Sequence, residues 1–349
     1  MEKVVVGMSG GIDSTLTAAK LQESGYHVVG VTLHMWDHPS SERAIADARR
    51  QALALGVEHH VVDCRADFAQ RIVAPFVASY LAGRTPSPCA SCNPQVKWWH
   101  IARFADSVGA RLISSGHYIE VAQHGGHHYI TKGGDPVKDQ SYYLWMLPES
   151  IIQRMVQPLG GITKEQTRQE IREKSLEDIV PTRESMSVCF LAGQNYRDFL
   201  FEQAPEAMKQ VQPGTVLDEA GLPIGHHNGL PFYTVGQKRD LLLDTPREAY
   251  VQVMDAQTNT ITVAKKAGLL QTRFAIEQLH FVNRDEITPD TPLEVKVRGL
   301  GLNPEGYGFI RFEGSQGHVT LQHPAWAVAG GQPAVFYLGN RLVGGGIIV

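Results

Sequence analysis

Apolar positions in the first half of the chain follow two alternating rhythms. Short β-branched runs at Lys3 to Gly7, His27 to Leu33 and Glu58 to Val62 are separated by stretches with apolar residues every three or four positions, which predict helices from about Ser14, from about Ser41 and again after Val62. Strand and helix in regular alternation predict a parallel sheet. Further on, Gln95 to Val108 reads as a helix feeding a strand at Arg111 to Ser115, and Thr163 with Gln166 forms a capping box for a helix to about Lys174. This α/β region runs to about residue 200.

Beyond Pro205 the texture changes to short alternating segments with Gly, Pro and Asn turns, among them Gly214 to Leu217, Tyr250 to Met254 and Thr260 to Ala264. A second break near Leu279 is followed by Leu293 to Arg298, Phe309 to Phe312, Val319 to Gln322 and Ala334 to Tyr337, the pattern of a small antiparallel barrel. The expected organisation is an α/β domain over residues 1–203, a small β-rich domain over 204–276 and a β-barrel over 277–349.

Composition adds limits. With 349 residues, 43% apolar and 19% charged, the chain is neither disordered nor fibrous. A net charge of −4 gives no bulk attraction for nucleic acid, so such a partner would be held by a local patch. No apolar run approaches the length that spans a bilayer, and no basic segment precedes a cleavable apolar one, so a cytoplasmic protein with neither membrane nor DNA as partner is expected. Four cysteines, Cys64, Cys89, Cys92 and Cys189, are too few for a disulfide-stapled fold.

The strand Lys3 to Gly7 leads into Met8-Ser9-Gly10-Gly11-Ile12-Asp13-Ser14 and then directly into a helical pattern. Two adjacent glycines at a strand-to-helix turn let backbone N–H groups and the helix N-terminus converge on one anion, and phosphate is the natural occupant. The loop lacks the Walker lysine and the spacing of the dinucleotide fingerprint. It resembles the SGGxDS loop of the PP-loop ATPases, which cleave ATP between the α and β phosphates. That resemblance implies that Ser9, Gly10, Gly11 and Ser14 hold pyrophosphate, with Asp13 near the phosphates and their Mg²⁺.

Gly83-Arg84-Thr85-Pro86-Ser87-Pro88-Cys89-Ala90-Ser91-Cys92-Asn93 reads as a proline-braced loop bearing a C-x-x-C ahead of a helix from Gln95. A thiol just before a helix N-terminus, with Lys97 one turn in, is expected to have a lowered pKa and to be a candidate nucleophile. Cys189 lies far downstream in Ser185-Met186-Ser187-Val188-Cys189-Phe190-Leu191. Three readings stand for Cys89, Cys92 and Cys189: buried structural thiols, a metal or iron–sulfur site, or a sulfur relay. Cys64, at a strand end, reads as a buried structural thiol. The pairs His59-His60, His127-His128 and His226-His227 read as surface histidines, because neighbours on a strand face opposite ways.

Taken together these motifs resemble one family, the tRNA-specific 2-thiouridylases of the MnmA/TrmU type. The likeness spans SGGIDS, the AGRTP segment to Cys92-Asn93 with Val96-Lys97-Trp98, Ser115-Gly116-His117-Tyr118, Lys138-Asp139-Gln140-Ser141-Tyr142, Val188-Cys189-Phe190, His226 to Lys238, and Pro333 to Gly346. It implies an N-terminal domain of the adenine nucleotide alpha hydrolase type, a small central domain and a C-terminal β-barrel. It also implies a reaction in which the wobble uridine of tRNA is adenylated on O2 by ATP, releasing pyrophosphate, and then exchanges AMP for sulfur. Cys189 would carry a persulfide received from a sulfur-donor protein, and Cys92 would be the nucleophile that frees the sulfur and is left in a disulfide with Cys189. The base would be flipped out of the anticodon loop.

By the same resemblance Gly7, Met8, Ser9, Gly10, Gly11, Ile12, Asp13, Ser14, Leu33 and Gly116 contact ATP. Ser87, Pro88 and Cys89 approach the target base, and His117, Lys138, Asp139, Gln140, Arg298 and Gln332 meet the tRNA anticodon stem-loop. Two departures stand out. Where many members have Asn-Pro-Asp this chain has Ser87-Pro88-Cys89, so a thiol replaces a carboxylate; and Arg298-Gly299-Leu300 replaces a segment with a tyrosine. Cys89 joined to Cys92 and Cys189 makes three thiols, the number that would hold a [4Fe–4S] cluster with one open iron.

Overall fold

The computed structural model describes residues 1–180, 188–299, 301 and 303–349. Ser185, Met186 and Ser187 of the segment before Cys189, and Leu300 after Arg298-Gly299, lie outside the described residues.

The chain divides into two compact units. The first comprises residues 1–72, 89–192 and 340–343. Its centre is a four-stranded sheet of β1 (Lys3–Gly7), β2 (His27–His34), β3 (Glu58–Asp63) and β4 (Leu112–Ser115) in the order β3-β2-β1-β4. All three ladders are parallel, with Val5 paired to Val29 on one side and to Ile113 on the other. β1 is an unbroken apolar run, as expected of a strand covered on both faces; Val4, Val5 and Val6 are completely buried. On one face α1 (Ile12–Glu23) and α2 (Pro39–Leu55) contribute Ala18, Leu21, Ala48 and Ala52 to a core with Val4, Val6 and Val28.

The order of these strands decides where chemistry sits. From β1 the chain moves to β2 and β3, then returns to β4 on the opposite flank of β1, so the winding reverses between β1 and β4. Loops leaving two such strands diverge and open a crevice beyond their carboxyl ends. The loop from Met8 and the segment from Gly116 are those two loops.

After β4 comes an antiparallel hairpin of β5 (Ile119–His124) and β6 (His127–Lys132), turned at Gly125-Gly126. Within the same unit Arg341 pairs with Thr131 of β6, and its guanidinium lies 4.8 Å from the Tyr129 ring centre. The expected capping box is present: Thr163 accepts from the Gln166 N–H, and Gln166 Oε1 accepts from the Thr163 N–H, at the start of the helix Lys164–Glu173.

The second unit comprises residues 73–88, 193–339 and 344–349. It holds a five-stranded sheet in the order β10-β11-β7-β8-β9, made of β7 (Gly214–Leu217), β8 (Pro223–His227), β9 (Leu242–Leu243), β10 (Tyr250–Asp255) and β11 (Thr260–Ala264). The last strands, β12 (Leu270–Phe281), β13 (Glu294–Lys296), β14 (Gly308–Glu313), β15 (Gln316–Trp326), β16 (Pro333–Leu338) and β17 (Arg341–Ile348), run in the order β13-β16-β17-β12-β15-β14. Leu293 and Gly308 exchange two backbone hydrogen bonds of 3.0 and 2.7 Å, joining the first strand of that path to the last and closing the expected barrel. Ile276, Val295, Ile310, Val319 and Phe336 are buried in it.

Two expectations are corrected. The helix expected from Gln95 begins at Pro88, where proline fits the first helical turn. His227 is no surface histidine: it is fully buried, its Nδ1 accepts the Gly229 N–H at 3.1 Å, and its Nε2 lies 3.1 Å from the Asn259 carbonyl oxygen.

Candidate active site

The loop after β1 is built to present donors. Gly10 has φ +75, and a Cβ there would meet the Ala44 carbonyl oxygen at 2.6 Å, so only glycine fits against α2. Gln51, completely buried on α2, donates through Nε2 to the Gly10 carbonyl at 2.8 Å and to the Ile179 carbonyl at 3.1 Å, which satisfies the Gly10 carbonyl. Ser14 Oγ accepts the Ser9 N–H and donates to the Gly11 carbonyl, each at 3.1 Å, which closes the loop. The first-turn N–H groups of α1 have no intrahelical partner and carry the positive end of the helix dipole.

Asp13 is the carboxylate of this loop. Its Oδ1 receives Lys164 Nζ at 2.6 Å and the Tyr118 hydroxyl at 2.7 Å, and that hydroxyl also lies 2.7 Å from Thr167 Oγ1. Lys164, brought in from far along the chain, is 5% exposed and supplies a fixed cation beside a loop that contains none. Reading the motifs alone passes over Lys164, which occupies the first position of a capped helix and carries no mark of burial.

Gly116 packs on the same turn: a Cβ there would stand 2.8 Å from both Asp13 Cβ and the Ser14 nitrogen. An alanine at 116 therefore overpacks the loop, a strain of ~1–3 kcal/mol and on the order of tenfold in ATP affinity. Calorimetric titration of the variant with ATP checks this, and unchanged affinity would remove Gly116 from the nucleotide site. Leu33, half-buried, ends its register opposite Val62 near the carboxyl end of β2.

Cys89, Cys92 and Cys189 are free thiols. Cys89 and Cys92 lie on one helical run: Pro88–Cys92, a π turn over Asn93–Lys97, and Trp98–Ser107. Asn93 Nδ2 donates to the carbonyls of Cys89 and Tyr143, both at 3.0 Å, fixing its start. Cys189 opens a single turn, Cys189–Leu191, anchored by Phe190 against Phe68 at 5.7 Å and Trp36 at 6.3 Å between ring centres. The three thiols are near enough to feel one another's charge: ionised Cys189 and Cys89 each raise Cys92, and Cys89 raises Cys189.

The expected low pKa is contradicted. Cys92 is pushed up to about 12, chiefly by burial, with Lys97 pulling the other way. Cys92 stands a full turn inside the helix, so dipole help is weak and loss of hydration wins. Cys89 and Cys189 are raised for the same first reason, although as residues both are exposed. An acid with a raised pKa gains thiolate only as pH climbs, so alkylation of Cys92 by iodoacetamide is expected to be slow near neutral pH and still rising above pH ~9. A plateau below that pH would contradict the assignment. Cys64 is buried as expected and pushed up to about 12.

β4 links the two centres. Ser115 Oγ holds His117 Nδ1 at 2.6 Å, and the His117 ring lies 5.6 Å from that of Trp98, the residue after Lys97. His117 is 6% exposed, and burial holds its pKa well below the usual range. Gly116 thus touches the phosphate loop while its neighbour touches the thiol helix.

The remaining candidates engage their own chain. Gln140 Oε1 accepts the Tyr118 N–H, and Asp139 accepts from Gly133 and Ser141. The Lys138 N–H is bound by Asp135. Arg298 donates to the Ala327 carbonyl at 2.6 Å and lies over Trp326. Gln332 donates to the carbonyls of Thr85 and Pro86 at 2.8 and 3.1 Å, bracing the strand that leads to Ser87, Pro88 and Cys89.

Comparison with known proteins accounts for nearly the whole chain. Residues 2–193 match the profile described as tRNA methyl transferase HUP domain, 198–265 the tRNA methyl transferase PRC-barrel domain, and 271–348 the aminomethyltransferase beta-barrel domain. The tRNA-specific 2-thiouridylase MnmA 3 of Bacteroides fragilis is 42% identical over 349 residues, covering 99% of this chain and 94% of the relative. The MnmA 3 protein of Phocaeicola vulgatus is 40% identical, with coverage of 99% and 94%, and the MnmA 2 protein of that organism is 35% identical, with 99% and 98%. On these grounds the chain belongs to the tRNA-specific 2-thiouridylase family.

Proposed function

We propose that the protein replaces O2 of the wobble uridine of tRNA by sulfur, using ATP to activate the oxygen and cysteine to deliver the sulfur. The observation that carries this reading is the adjacency of two chemistries: a phosphate loop after β1 and the helical run that bears Cys89 and Cys92, joined through Gly116, His117 and Trp98. A ligase that only adenylates has no use for the second.

Uracil O2 attacks the α-phosphate of ATP, pyrophosphate departs, and the O-bound AMP becomes the leaving group. The N–H groups of Gly10 to Ser14 and the Lys164 ammonium meet the phosphates as charge shifts onto pyrophosphate. Asp13 is the carboxylate that would hold Mg²⁺ arriving with ATP, and the ion would supply charge neutralisation at the phosphates. The terminal sulfur of a Cys189 persulfide attacks C2 and AMP leaves. Cys92 then attacks Cys189 Sγ, the S–S bond to the transferred sulfur breaks, and the Cys92–Cys189 disulfide is reduced before the next turnover.

Among the described residues no three histidine, cysteine or carboxylate side chains are arranged to hold a metal ion. No helix among the described residues is long and apolar enough to cross a membrane; we place the reaction in the cytoplasm, with tRNA and a persulfide-donor protein as partners.

The test is reconstitution: protein, tRNA, ATP with Mg²⁺, and a persulfide-loaded donor. The expected products are 2-thiouridine in digested tRNA, AMP and pyrophosphate in equal amounts. Pyrophosphate without sulfur incorporation, under reducing conditions and with loaded donor, would point to a different adenylating enzyme.

A further inference from the structure

The helical run bearing Cys89 and Cys92 changes pitch at one place, Asn93–Lys97, where it makes a π turn. In an α-helix, side chains three or four apart share a face and a residue five on points elsewhere. In a π turn the repeat lengthens to i→i+5, so a residue five on returns to the starting face. Lys97 is five positions after Cys92, and the inserted residue carries it round to the thiol side. Local bonding agrees with the turn, since the Trp98 N–H donates to the carbonyl of Asn93, five residues back.

Lys97 is half-buried as a residue and, among the described residues, has no carboxylate within ion-pair distance. The groups that feel its charge are Cys89, Cys92, Cys189 and the His117 ring. His117 is held neutral by burial, and the Tyr143 hydroxyl faces Cys89 as a further uncharged neighbour. A cation removed from water without a carboxylate is costly unless an anion joins it.

We propose that Lys97 is a positioning residue for sulfur: its ammonium is the counter-charge for whichever of the three cysteines, or the persulfide carried by one of them, is anionic, and the π turn is what places it there. The inference rests on the thiolation reading above and specifies how that site holds ionised sulfur. It also explains how thiols disfavoured as anions by burial still react. A persulfide is a stronger acid than a thiol, so in the loaded enzyme the terminal sulfur is the anion that Lys97 holds.

The test follows alkylation of each cysteine in the reduced, full-length protein by iodoacetamide, read by peptide mass spectrometry across pH, for wild type, Lys97→Met and Lys97→Arg. Loss of the charge is expected to slow Cys92 roughly tenfold near neutral pH, equivalent to a pKa about one unit higher. The two curves should converge at high pH, and Lys97→Arg should restore most of the rate. Profiles of Lys97→Met that superimpose on wild type overturn the proposal, as does slowing by one constant factor at every pH, the mark of altered access. If Lys97→Met does not fold, Lys97→Gln carries the same expectation and the same contradiction. The assay contains no tRNA, so its failure removes the role of Lys97 and leaves thiolation standing, whereas failed reconstitution removes thiolation and with it the persulfide that Lys97 would hold, whatever the alkylation profiles show.

Discussion

Serine in place of Cys92, or of Cys189, is expected to lower 2-thiouridine formation on the order of a thousandfold or more while pyrophosphate release continues. The two halves of the reaction use different atoms. In the proposed mechanism adenylation needs the loop from Ser9 to Ser14, Lys164 and a positioned uracil, none of which is a sulfur. Sulfur transfer needs a persulfide on one thiol and an attacking thiol beside it, and a hydroxyl supplies neither. Serine keeps nearly the same volume in the half-buried Cys92 site, so packing around Asn93 and Lys97 survives. Thermal melting should therefore match wild type. Simultaneous assay of pyrophosphate and tRNA nucleosides reads both halves, and a Cys92→Ser enzyme that still thiolates removes Cys92 from the chemistry.

The second large effect falls on the other half. Asp13→Asn is expected to reduce pyrophosphate release by at least about a hundredfold, because one change removes the carboxylate suited to Mg²⁺ and the partner of Lys164. It also removes the carboxylate that pairs with the buried Lys164 ammonium, at a penalty toward the lower end of the ~3–5 kcal/mol for breaking a buried pair, since Asp13 is the more open partner. Stability and activity must then be separated. The double variant Asp13→Asn with Lys164→Met removes both members of the pair; it should recover melting temperature and remain inactive. Recovery of pyrophosphate release in the double variant would mean that Asp13 acts on the fold alone.

How much of this was readable from residues differs by feature. The β-branched runs of β1 to β3 announced themselves because strands buried on both faces admit little else, and the Thr163–Gln166 capping box is a local device whose partners are neighbours. The phosphate loop was legible for the same reason: glycines, serines and a helix start lie within seven residues. The helix at Pro88 was misread because prolines at 86 and 88 suggest a loop, although a proline in a first helical turn is also a start signal. The π turn at Asn93–Lys97 leaves no pattern of apolar spacing, and the Asn93 bond to the Tyr143 carbonyl beside it joins residues far apart in the chain. The β5–β6 hairpin did leave one, Gly125-Gly126 between alternating runs, hidden inside an α/β rhythm. Burial of Cys92, Lys164 and His227 is set by residues distant in sequence, which is why one pKa direction, one ion pair and one core histidine emerged only with the fold.

The central proposition is that uracil oxygen leaves as part of AMP. It is tested most directly by transcribing tRNA with heavy oxygen at C2 of its uracils and running one round of reconstituted reaction. Mass spectrometry of the nucleotide product should find AMP carrying one heavy oxygen, in step with 2-thiouridine formed. Unlabelled AMP, or ADP and phosphate in its place, alongside normal thiolation would contradict activation of that oxygen by adenylation.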